Sequence, residues 1–248
     1  MRSDRIISAL ILVIAGCLPM VSGQSLPKGA TVLEERNLPG RHRKLILWMP
    51  NAVKHPFENG EFYTCPDQSR GSFYSGDARV TLIDTVNKRV INILRVKSND
   101  DSVGPVPEAA DPIDLPYAIR SGSYYYVPNG SVKDERKPQI MDLKDYNGDG
   151  KAMEFPLYDA EACMGLGTTL IGYSIRQDRV IQYPINVRAP EGTTREYWLD
   201  YLFSKQPTRP GHWRYDIDYR GREGTLDMFT VKYDPKHEAF VATIKRRR

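Results

Sequence analysis

Three times along this chain a run rich in β-branched residues, a short polar turn and a second such run follow one another. That grammar belongs to antiparallel hairpins. Arg79–Thr85 and Val90–Val96 flank Val86-Asn87-Lys88-Arg89, while Thr168–Ser174 and Val180–Val187 flank Arg176-Gln177-Asp178. Thr225–Tyr233 and Ala239–Ile244 repeat the arrangement around Asp234-Pro235-Lys236-His237. With 19 glycines and 18 prolines among 248 residues to make turns, the expected fold is all-β, built of antiparallel meanders and propeller-like, with a large β-sandwich as the alternative. A composition 40% hydrophobic and 27% charged excludes a disordered, collagenous or coiled-coil chain.

Four segments follow from the order of these runs. Residues 1–23 read as a signal peptide: Arg2 and Arg5 precede an apolar run from Ile6 to Cys17, and small residues lead to a cut after Gly23. Residues 24–97 form an N-terminal β subdomain, 98–115 an acidic proline-bearing loop, and 116–248 a C-terminal β subdomain. No later segment has enough consecutive apolar residues to span a bilayer as a helix. The chain is therefore expected to be secreted or periplasmic. Ile14-Ala15-Gly16-Cys17 also resembles the bacterial lipobox, which implies a lipid-anchored envelope protein as the alternative, with Cys17 carrying the only membrane contact. In an oxidising compartment Cys65 and Cys163, the remaining thiols, are expected to pair as a disulfide.

Asp145-Tyr146-Asn147-Gly148-Asp149-Gly150-Lys151 is the strongest chemical signal. Oxygen-bearing side chains at the first, third and fifth positions, then glycine at the sixth, let a tight loop wrap one hard cation. The expected ion is calcium in a structural role. Asp145, Asn147 and Asp149 offer side-chain oxygens, Lys151 its carbonyl, and Glu154 closes the shell. This DxNxDG core resembles the calcium loops of EF-hands, dockerins and FG-GAP or VCBS repeats over about ten residues. Pro156 holds the twelfth position, where an EF-hand places its bidentate glutamate, so an EF-hand pair is excluded. The extended flanks are closer to the loops of FG-GAP and VCBS blades. A plain Asn-Gly-Asp-Gly turn without metal is the alternative.

Asp218-Tyr219-Arg220-Gly221 reads as a worn copy in which Arg220 and Arg222 replace oxygen ligands. A guanidinium there can hold the turn through a neighbouring carboxylate without an ion. If the repeat is real, Trp198–Phe203 and the last three strands form one four-stranded meander. Thr193–Phe203 is itself ambiguous between a capped helix and an aromatic strand, and the strand is preferred.

No HExxH, G-x-S-x-G, Walker loop or dinucleotide fingerprint occurs, and His42, His55, His212 and His237 do not cluster in sequence. No catalytic residue is assigned. Formal net charge is +4, and the last four residues, Lys245 to Arg248, are all basic. The body before that tail is near neutral, which argues against nucleic acid as a partner. Aromatic side chains at Tyr124 to Tyr126, Tyr197, Trp198, Tyr201, Trp213, Tyr215 and Tyr219 offer rings for a carbohydrate or protein ligand. The expected function is a non-catalytic binding or structural module of the cell envelope; the alternative is a secreted hydrolase acting on a polymer such as polysaccharide.

Overall fold

A computed structural model of the chain describes residues 26–55, 73–98, 113–115, 139–161, 165–221 and 224–247. Cys17, Cys65, Cys163, Arg222 and Tyr124 to Tyr126 lie outside them, as do the leader and most of the acidic loop. The described chain is all-β. Its only helical element is a 3-10 turn at Leu202–Ser204.

The first sheet is a meander of β1 (Ala30–Asn37), β2 (Arg43–Pro50), β5 (Arg79–Asp84) and β6 (Arg89–Arg95). A three-stranded sheet takes β3 (Val53–His55) and β4 (Phe73–Gly76) from between β2 and β5, and β7 (Ile113–Leu115) from after β6. The second main sheet joins β8 (Glu154–Glu161), β9 (Gly165–Ser174), β10 (Arg179–Gln182) and β13 (Leu199–Asp200). The third has the order β12 (Gly192–Glu196), β11 (Ile185–Ala189), β16 (Ala239–Arg247), β15 (Leu226–Asp234) and β14 (His212–Asp218). All its pairings are antiparallel except β11 with β16.

The second sheet lies between the other two and is apolar on both faces. Phe155, Leu157, Ile171, Tyr173 and Val180 join one core with Leu45, Leu47 and Leu82 of the first sheet. Leu170 and Tyr183 join another with Trp213, Phe229 and Phe240 of the third. Period-two alternation explains how neighbours such as Leu170 and Ile171 serve opposite cores. The first core also unites residues of the segments expected as separate subdomains.

All three hairpins are present, and their turns share one construction. Each loop has four residues, and the last, Lys88, Asp178 or Glu238, has a φ of 46–52°. The residue before each loop caps it. Asp84 Oδ1 accepts the Val86 and Asn87 amides, Ser174 Oγ the Gln177 amide, and Asp234 Oδ1 the Lys236 amide.

Some details differ from expectation. Thr193–Phe203 is neither one helix nor one strand: β12 ends at Glu196, β13 covers two residues and the 3-10 turn follows. β13 pairs with β9 of the middle sheet, so the last three strands take β11 as fourth neighbour instead of Trp198–Phe203. Among the described residues no sheet closes into a barrel; stacked sheets are established, and a propeller ring goes beyond them.

Candidate metal loop

The loop hangs from a two-residue bridge. Lys144 N–H donates to the Glu154 carbonyl at 2.8 Å, and Glu154 N–H returns a bond at 3.2 Å. Within it, Asp145 gathers the backbone: Oδ1 accepts the Gly148 and Asp149 amides at 2.7 and 3.1 Å, and Oδ2 the Gly150 amide at 3.0 Å. Asn147 Oδ1 accepts the Asp149 amide at 2.9 Å, and Asp149 Oδ1 the Lys151 amide, also at 2.9 Å. Gly148 and Gly150 stand at φ of 80° and 81°, a region that costs a side-chain-bearing residue about 1–2 kcal/mol. The Asn147-Gly148-Asp149-Gly150 sequence thus puts glycine at both left-handed positions.

Glu154 is only 1% exposed. It pairs across the ladder with Gly172, where a Cβ would fall 2.7 Å from Glu154 Cγ. Its Oε2 accepts the Tyr146 amide at 3.1 Å and its Oε1 the Asn147 side-chain amide at 3.0 Å. That second bond orients Asn147, assigning Nδ2 to Glu154 and freeing Oδ1 for the loop. Burial raises the Glu154 pKa to about 8, with Asp149 and Asp145 adding to the rise. An elevated carboxyl pKa is a feature of catalytic acids, but here both oxygens accept hydrogen bonds from the loop. Glu154 braces the loop from beneath.

A second element supports the loop. Tyr146 stacks on Trp213 at 6.4 Å and 6° and meets Phe203 edge-on at 6.1 Å. Gly148 packs on Pro210, and Gly211 on the Asn147 carbonyl.

Asp145 is half-buried, Asn147 buried, and Asp149 and Lys151 exposed. Neither aspartate has an ion pair among the described residues. No three His, Cys, Asp or Glu side chains there form a metal-holding group. The oxygen set therefore consists of two carboxylates, one oriented amide and the Lys151 carbonyl, the hard-donor chemistry that calcium accepts. The braces, Gly172 and Gly211, were not singled out from sequence. An isolated glycine inside a β-run, as at Gly172, is the available signal of close approach.

At Asp218 the turn is clasped by a guanidinium, as expected from Arg220. Arg220 donates to Asp218 through its amide at 3.0 Å, Nε at 2.9 Å and Nη2 at 2.6 Å, and the bonds hold the Asp218 pKa at about 2.

Of the aromatic candidates, Trp198, Trp213 and Tyr215 are buried, whereas Tyr197, Tyr201 and Tyr219 are half-buried. Tyr219 and Tyr215 hydroxyls donate to the Asp200 carboxylate and carbonyl at 2.8 and 2.9 Å. His42 is exposed, His212 contacts Arg209 and the Pro210 carbonyl, and His237 contacts Asp234.

Comparisons of the chain with protein-family models, with curated proteins and with solved structures gave no match.

Proposed function

We propose that this chain is an exported, calcium-stabilised β protein acting as a non-catalytic binding or structural module of the cell envelope. One observation carries the metal part of this reading: the loop backbone is folded around Asp145, while among the described residues neither Asp145 nor Asp149 has an ion pair. A bound calcium ion would take oxygens from Asp145, Asn147, Asp149 and the Lys151 carbonyl, with Glu154 holding Asn147 in register. Because the loop lies between β8 and the turn that precedes β14, the ion would fasten the middle sheet to the third.

Export rests on the sequence of residues 1–23, and the binding role on the half-buried rings and charged faces of a fold whose described polar side chains serve turns and braces. Calorimetric titration of the purified mature chain with calcium, paired with thermal melting in calcium and in EDTA, tests the metal. One site per chain and a higher Tm in calcium are expected. An unchanged Tm with no heat at millimolar calcium would refute it. Release into the medium or periplasm with loss of residues 1–23 tests export.

A further inference from the structure

The geometry points to the outer face of the third sheet as a docking surface for an anionic polysaccharide. The inference rests on the binding-module reading and is independent of calcium.

Register defines the face. Residues paired across neighbouring strands project to the same side, and Ile185, Val187, Trp213, Phe229, Phe240 and Ala242 lie in the inner core. Their neighbours along the strands form the opposite face. One row reads Arg195, Asn186, Val241, Lys232 and His212. The next reads Thr193, Arg188, Thr243, Thr230 and Arg214. Beyond them Lys245 pairs with Met228 and Asp216, and Arg247 with Leu226 and Asp218.

Six cations, Arg188, Arg195, Arg214, Lys232, Lys245 and Arg247, are therefore exposed on one sheet face. None has an ion pair or side-chain hydrogen bond among the described residues. Of the three carboxylates on the face, Asp216 and Asp218 lie on β14, where Arg220 holds Asp218, and Asp234 ends β15 and contacts His237. Elsewhere Arg43, Arg79, Arg95, Arg176 and Arg246 meet carboxylates, and the exposed Arg41 and Arg179 stand singly and not in a cluster. The cations of the face outnumber its carboxylates, and a polyanion relieves the repulsion among the excess.

The rest of the face selects the kind of polyanion. Large exposed hydrophobic residues among those described are Val32, Val53, Val86 and Ile93, none of them on this sheet; the face has only the half-buried Met228 and Leu226 at one end to offer a bilayer interior. No Phe, Tyr or Trp ring lies on the face to stack on bases. Between Arg188 and Arg214, some 14 Å apart at about 4.8 Å per strand, stand Thr243 and Thr230, with Thr193 beyond Arg188. Guanidinium forks suit carboxylate or sulfate, and threonine hydroxyls suit the sugar hydroxyls between them.

The experiment uses the intact mature chain at low salt. Polygalacturonate and heparin serve as carboxylated and sulfated probes, with neutral dextran, a DNA duplex and phosphatidylglycerol vesicles beside them. The test variant is Arg188→Thr/Arg214→Thr/Lys245→Thr, which keeps residues suited to strands. The control, Lys28→Thr/Lys54→Thr/Lys236→Thr, removes three exposed cations from other places. Circular dichroism confirms that both fold. We expect at least one acidic glycan to bind, at least tenfold weaker binding by the test variant, less than twofold change in the control, and weakening by salt. Equal loss in both variants, tighter binding of DNA or vesicles than of either glycan, or no glycan binding by folded protein would overturn the assignment. If glycans bind but the test variant does not weaken them, the module reading stands and this face is excluded. A failed calcium titration would leave the result here unaffected.

Discussion

Gly148 and Gly211 let two backbone turns touch: a Cβ at Gly148 would lie 2.9 Å from the Pro210 carbonyl oxygen, and one at Gly211 would lie 2.7 Å from that of Asn147. Both have positive φ, 80° and 75°. Substitution therefore meets backbone strain and a collision with another backbone, which cannot swing aside.

Gly148→Ala and Gly211→Ala should each destabilise the protein by about 2–4 kcal/mol, combining left-handed strain with overpacking. Gly150→Ala is the internal control. Its φ is 81°, but nothing lies within 4 Å of the added methyl, so only the strain of about 1–2 kcal/mol applies. Urea unfolding of the three variants measures this ordering, and equal losses would show that the turn contact is looser than described.

Asp145 and Asp149 should separate in the absence of calcium although both belong to the proposed ligand set. Asp145 accepts three backbone amides, Asp149 one. In EDTA, Asp145→Ala should cost about 1–3 kcal/mol, because several donors lose their acceptor, and Asp149→Ala less than about 1 kcal/mol. In calcium both variants should lose the metal-dependent rise in Tm. Paired melts check this; a calcium response retained by Asp149→Ala would remove that residue from the set.

How much of this was legible beforehand follows from range along the chain. Hairpins are local, and Asp84, Ser174 and Asp234 each advertise a turn within five residues of themselves. The Arg220 clasp on Asp218 was equally legible because its partners are two residues apart. Long-range braces were not. Nothing near Glu154 announces that Gly172 makes room for it, or that Pro210 and Gly211 close on the loop from the turn before β14. β11 took the place beside β16 through a parallel pairing, which has no turn to mark it. The cationic face was hidden because its members come from β11, β12, β14, β15 and β16, while whole-chain charge is close to balanced.

Arg43 should matter more than an ordinary surface arginine. It donates to Asp178 through Nε at 3.0 Å and Nη2 at 2.8 Å, and its Nη1 lies 3.4 Å from Asp84 Oδ2. Two hairpin turns of different sheets thus share one guanidinium, and the Tyr173 hydroxyl donates to the same Asp178 at 2.7 Å. Arg43→Ala should destabilise by about 1–2 kcal/mol, against under about 0.5 kcal/mol for Arg214→Ala, which has no such partners. Arg43→Lys should recover only part, since an ammonium cannot make the forked contact. A double-mutant cycle of Arg43 with Asp178 measures the coupling, and a value of zero would reduce the contact to a surface ion pair.

The same turns contribute to the acid limit of the fold, as does the Arg220 clasp on Asp218. Amide and side-chain hydrogen bonds from Asn87 and a bond from Val86, with Arg43 nearby, hold the Asp84 pKa at about 2; Arg43 and Tyr173 lower that of Asp178. An unfolded aspartate titrates near ~3.9. The native state therefore binds fewer protons than the unfolded state between these limits, so this stabilisation is complete above about pH 4 and is lost as pH falls toward 2. Asp84→Asn should lower stability at pH 7 and flatten the pH dependence between about 4 and 2, leaving the region above pH 5 parallel to wild type. Urea midpoints measured from pH 2 to 7 decide the matter: an unchanged slope below pH 4 in Asp84→Asn would place the acid sensitivity elsewhere than in the first hairpin.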